Sequence, residues 1–71
     1  MLFRSHKSIG FRRGQAEVLS NLALIRRIKG DYAGALLLSH QALSIDQEIG
    51  ELRGEAADWG NLGIVYLQLG E

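Results

Sequence analysis

Seventy-one residues with neither cysteine nor proline make one small domain that must hold itself together by packing, since no disulfide or thiolate-bound metal can staple it. No apolar run approaches the roughly 18 residues of a membrane span, and Met1-Leu2-Phe3 is followed at once by Arg4, His6 and Lys7, which leaves no signal-peptide core. The net charge of zero conceals a gradient: seven Lys and Arg against Glu17 in residues 1–30 (+6), then seven Asp and Glu against Arg53 in residues 31–71 (−6). That asymmetry fits a basic nucleic-acid surface, two complementary ends that attract each other, or plain solvated helix faces. The absence of targeting signals makes a soluble cytoplasmic protein the expectation.

The chain matches itself when offset by 40 residues. Ile9-Gly10 falls on Ile49-Gly50, Arg13-Gly14 on Arg53-Gly54, Ala16 on Ala56, Asn21-Leu22 on Asn61-Leu62 and Gly30 on Gly70. Six of the nine glycines lie in these matched pairs. An internal period of this length is the mark of a repeat architecture. The predicted fold is all-α, a fragment of an α-solenoid built from antiparallel helix-turn-helix repeats.

In chain order, residues 1–10 are expected to form the tail of a preceding helix, ended by Gly10 in the left-handed conformation that glycine adopts most cheaply. A first helix is predicted over 12–28. Val18, Leu22 and Ile25 form one apolar stripe on it, and Leu24 and Ile28 a second, which predicts burial on two sides. Gly30 closes that helix and Asp31 is placed to cap the next. The second helix covers 31–49, with Ala35, Leu38, Ala42, Ile45 and Ile49 on one stripe and Leu36 and Leu43 beside it. Gly50 ends it. The third helix is predicted over 52–69, and Gly70-Glu71 repeats the Gly30-Asp31 stop. On the third helix Trp59, Leu62, Gly63 and Tyr66 share one face. Gly63 costs about 1 kcal/mol there relative to alanine, a cost that makes sense where another helix approaches closely.

The spacing Trp59-x-x-Leu62-Gly63-x-x-Tyr66 resembles the first helix (A) of a tetratricopeptide repeat. Gly30-Asp31-Tyr32-x-x-Ala35 followed by Ala42-Leu43 resembles that family's turn and second helix (B), and Ala23 and Gly63 occupy its small-residue position. Leu19-x-x-Leu22-Ala23-x-x-Arg26 is a degenerate copy of the same motif. The likeness covers residues 16–71. The period of 40 rather than 34, and the missing proline after helix B, make the chain similar to the longer repeats of kinesin light chains. Arg26 and Ser39 stand where the family carries aromatics. HEAT or armadillo repeats have a similar period but lack the Trp-Leu-Gly-Tyr spacing.

The resemblance implies a non-catalytic protein-interaction module whose helices A line a concave groove for a peptide or partner protein. Carried over by position, the groove residues are Glu17, Ser20, Asn21, Leu24 and Arg27 in the first repeat, and Ala57, Gly60, Asn61, Ile64 and Leu67 in the second. An asparagine offers both a donor and an acceptor and can pair with a peptide backbone whatever its sequence; Asn21 and Asn61 could equally bridge adjacent helices. Arg27 is suited to an acidic partner side chain, and Leu24, Ile64 and Leu67 to an apolar floor. A repeat cannot bury its apolar face alone, so the chain is expected to self-associate as a homo-oligomer or to belong to a longer array.

Enzyme chemistry finds no support. Ser5, Ser8, Ser20, Ser39 and Ser44 sit in no nucleophile motif, and His6 and His40 are the only histidines. Asp46, Glu48 and Glu51 lack the spacing of a calcium loop, so they are expected to be a solvated helix end. Gly10 and Gly14 flank Arg12-Arg13, but no strand precedes them as a phosphate loop requires. No catalytic residue, metal or cofactor is predicted. The alternative function is a small helical nucleic-acid-binding protein using Arg12-Arg13 and Arg26-Arg27-x-Lys29.

Overall fold

The computed structural model describes residues 6–70. It is all-α: α1 spans His6–Ile28, α2 Tyr32–Ile49 and α3 Leu52–Leu69. Consecutive helices turn back and pack side by side, so α2 lies against both α1 and α3, while α1 and α3 meet only lightly.

The turns follow from local chemistry. Gly30 and Gly50 both adopt positive φ, 87° and 71°, a region where a side chain would meet the following carbonyl. Each closes its helix with the same pair of bonds. The N–H of Gly30 donates to Arg27 O and that of Asp31 to Arg26 O; the N–H groups of Gly50 and Glu51 donate to Gln47 O and Asp46 O. These satisfy the last carbonyls of α1 and α2 as the Schellman motif does. Asp31 then caps α2, its side chain accepting from the Gly34 N–H at 3.0 Å. Glu51 holds the equivalent place before α3 but caps nothing with its side chain. Its carboxylate instead accepts from Arg13 Nε at 2.9 Å.

Two expectations are corrected. Gly10 does not end a helix: α1 runs through it, and positive φ among the described residues is confined to Gly30, Gly50 and Gly70. Residues 1–5 of the expected tail lie outside the described residues. Nor is α1 buried on two sides. Val18, Leu22, Leu24, Ile25 and Ile28 are all exposed, and its buried residues are the small ones, Ala16 and Ala23. The core is correspondingly small: Ala16, Ala23, Ala35, Ala42, Leu43, Leu62 and Val65. Leu38, Ile45 and Ile49 of the predicted α2 stripe are half-buried, as are Leu36 and Tyr32. The Trp59 face divides as well. Leu62 turns inward toward α2, while Trp59, Gly63 and Tyr66 are exposed.

Candidate functional site

A groove of about 430 Å³ opens between α1 and α3, with α2 beneath it. From α1 it is lined by Arg13, Ala16, Glu17, Ser20 and Asn21, and from α3 by Arg53, Gly54 and Ala57. Glu51 lies at one end and Asp46 of α2 forms part of the floor. Four of the sequence-predicted contact residues therefore meet here: Glu17, Ser20, Asn21 and Ala57. The other six, Leu24, Arg27, Gly60, Asn61, Ile64 and Leu67, do not line it. Leu24, Ile64 and Leu67 are exposed farther along their helices, and Asn61 and Arg27 are half-buried, with Arg27 Nε enclosed and unbonded. Gly60 is exposed.

The groove's floor holds a feature the sequence reading missed. Asp46 and Asp58 are 2% and 0% exposed, and their carboxyl groups come within hydrogen-bonding reach of each other across the α2–α3 seam. Such a bond requires a proton on one of the two. Burial first, then the bond to Asp58 and its charge, push the Asp46 carboxyl up to about 7; like charges brought together out of water cannot both ionise cheaply. Ser20 on α1 donates its hydroxyl to Asp58 Oδ1 at 2.8 Å, so one polar cluster ties all three helices. Asp58 Oδ2 is buried with no donor from a neighbouring N–H or hydroxyl. Gly54 makes room for the pair. A Cβ at that position would sit 2.5–2.7 Å from the Asp46 carboxyl atoms.

The expectation that Asp46, Glu48 and Glu51 form a solvated helix end is thus overturned for Asp46. A signal was present in the sequence. Ala35, Ser39, Ala42 and Asp46 recur at helical spacing, and all four are buried; Asp58 precedes Leu62 and Val65 on the buried stripe of α3 in the same way.

Part of the charge gradient is neutralised within the molecule. Arg12 pairs with Glu48 and Arg13 with Glu51, joining α1 to the far end of α2, and Arg26 bonds Asp31 at 3.3 Å across the turn. Both members of the Arg12-Arg13 cluster therefore already have acidic partners. Among the described residues no group of three or more His, Cys, Asp or Glu is placed to hold a metal ion, and no helix is long and apolar enough to cross a membrane. Comparison with the models of known protein families, with curated proteins and with solved structures finds no match to this chain.

Proposed function

We propose that this chain is a non-catalytic protein-interaction module of the tetratricopeptide-repeat kind, which takes an extended peptide segment in the groove between α1 and α3. The observation that carries the proposal is the convergence of Glu17, Ser20, Asn21 and Ala57 on one groove, since these positions came from the motif alone. Asn21 is exposed there, and neither Asn21 nor Asn61 makes a side-chain hydrogen bond among the described residues. That favours the ligand role over the helix-bridging one, most clearly for Asn21. A free amide beside a groove can donate to one peptide carbonyl and accept from the next N–H. The nucleic-acid alternative is weakened by the acidic partners of Arg12, Arg13 and Arg26, which would have to be displaced before phosphate could bind.

Selection from a displayed peptide library, followed by affinity measurement on the full chain, tests this. Asn21→Ala should weaken the selected peptides about five- to tenfold, the worth of one or two hydrogen bonds, and leave the helical circular-dichroism spectrum and melting temperature unchanged. Asn61→Ala should have a smaller effect in the same direction. If Asn21→Ala lowers the melting temperature and leaves affinity per folded molecule intact, the asparagine is structural and the groove reading fails.

A further inference from the structure

The floor of the groove is rich in acceptors and poor in donors. Asp46 and Asp58 are both buried, with their carboxyl groups close to each other. Among the described residues one donor reaches their oxygens, the Ser20 hydroxyl on Asp58 Oδ1. Asp58 Oδ2 is enclosed with no donor at all, and Asp46 is the member of the pair that lines the groove. The charged groups around the pair are Arg13 and Glu17 from α1, and Glu51 and Arg53 from the α3 side. Arg13 is held by Glu51 at 2.9 Å, and Arg53 forms no ion pair among the described residues. No cation of the chain itself therefore neutralises the two aspartates. The small residues of the lining, Ala16, Gly54 and Ala57, leave a way down to them. At Gly54 even a Cβ would overlap the Asp46 carboxyl, so glycine keeps that group uncovered on the α3 side.

We infer, building on the groove reading above, that the groove selects a peptide segment bearing lysine or arginine, whose cationic head reaches Asp46 and whose methylene stem lies along Ala16, Gly54 and Ala57. Long basic side chains lay their stems on apolar surface in this way. An ammonium or guanidinium brings at least three N–H donors to a floor that lacks them. A neutral donor would satisfy one oxygen and leave the charge, whereas a cation offsets the charge that burial penalises. Two aspartates fall short of a metal-binding group among the described residues, so the cation is an organic one. Binding also favours the ionised form of Asp46, which burial and Asp58 oppose up to about pH 7 in the free chain. A basic segment therefore displaces a proton near neutral pH and binds more tightly as pH rises through 7, lysine itself staying charged to about pH 10.

Peptides selected from a displayed library on the full chain should share a lysine or arginine at one position. Replacing that residue with methionine, which keeps the length without the charge, should weaken binding about ten- to hundredfold, the worth of a hydrogen-bonded charge. From pH 6 to pH 8 the basic peptide should gain about tenfold in affinity as the ionised fraction of Asp46 rises, and the methionine peptide should not; this comparison needs no variant of the chain. Asp46→Asn should flatten that pH profile. Asp46→Asn combined with Asp58→Asn, checked for its helical circular-dichroism spectrum, should lose the preference for lysine over methionine. Peptides that depend on Asn21 yet share no basic position, a basic peptide whose affinity is flat across this range, or a lysine preference that persists in the folded double variant each overturn the inference and leave the groove reading standing. A library that yields no binder ends both. Spermidine is another source of the same head group. If it binds the parent as tightly as the peptides do and fails to bind the double variant, the ligand is a free polyamine and the peptide assignment falls.

Discussion

Asp46 and Asp58 leave water to face each other, and burial together with the neighbouring Asp58 favours the protonated form of Asp46. With a folded-state value of about 7 against an ordinary 3.8 for Asp46, the folded chain holds a proton between those limits that the unfolded chain has released. Stability from this group is therefore complete below about pH 4, falls as pH rises toward 7, and changes no further above it. The thermal midpoint, followed by circular dichroism, should fall across that interval. Asp46→Asn keeps a donor for Asp58 without a titrating proton. It should flatten this part of the profile and melt above the parent at pH 8. Equal slopes in the two proteins would show that the pair does not share a proton. Because Asp46 lines the groove, its ionisation also changes the charge a ligand meets near neutral pH. The sequence showed Asp46 on the Ala35–Ser39–Ala42 stripe, but a carboxylate at a buried register position is expected to reach solvent until its neighbour is known to be another acid.

At the scale of elements, α2 and α3 were legible because glycine and periodicity agree. Gly30, Gly50 and Gly70 stop helices where apolar stripes end, and the observed bounds Tyr32–Ile49 and Leu52–Leu69 follow them. Gly10 carried the same mark and stops nothing. Glycine permits a reversal without imposing one, and Gly10 lies inside the continuous helix His6–Ile28. The face of α3 is the complementary case. Gly63 sits in a helix interior with open space around it, so in the free chain it bears glycine's cost with no compensating contact. Gly63→Ala should raise stability by about 1 kcal/mol, read as a higher denaturation midpoint in urea. A loss of stability would mean that something already approaches that face in solution.

For the whole molecule the decisive quantity is how little is buried. The largest fully buried side chains are Leu62, Val65, Asp58 and Ser39, two of them polar, and Ser39 Oγ is enclosed without a partner. A chain of this size supplies only about 3–5 kcal/mol of net stability from one core. Leu62→Ala should cost about 2–5 kcal/mol and leave the chain largely unfolded at 25 °C by circular dichroism, whereas Leu67→Ala on the exposed side of α3 should be nearly neutral. The ion pairs Arg12–Glu48, Arg13–Glu51 and Arg26–Asp31 add little in comparison, since partly exposed pairs contribute about 0–1 kcal/mol each.

The all-helical class, α2, α3 and the turns at Gly30 and Gly50 could be read from the residues alone, because helix periodicity, capping by Asp31 and the left-handed glycines are local properties written in neighbouring residues. The sequence also placed Glu17, Ser20, Asn21 and Ala57 on helices that could face one another. Which faces meet is set by the packing of the helices on one another. That the stripe of α1 lies open while its counterpart on α3 is buried, that two aspartates confront each other below the groove, and that Arg12 and Arg13 pair with Glu48 and Glu51 all depend on residues brought together from different helices or their ends. No local rule carries information across such a distance; packing one helix against two others does.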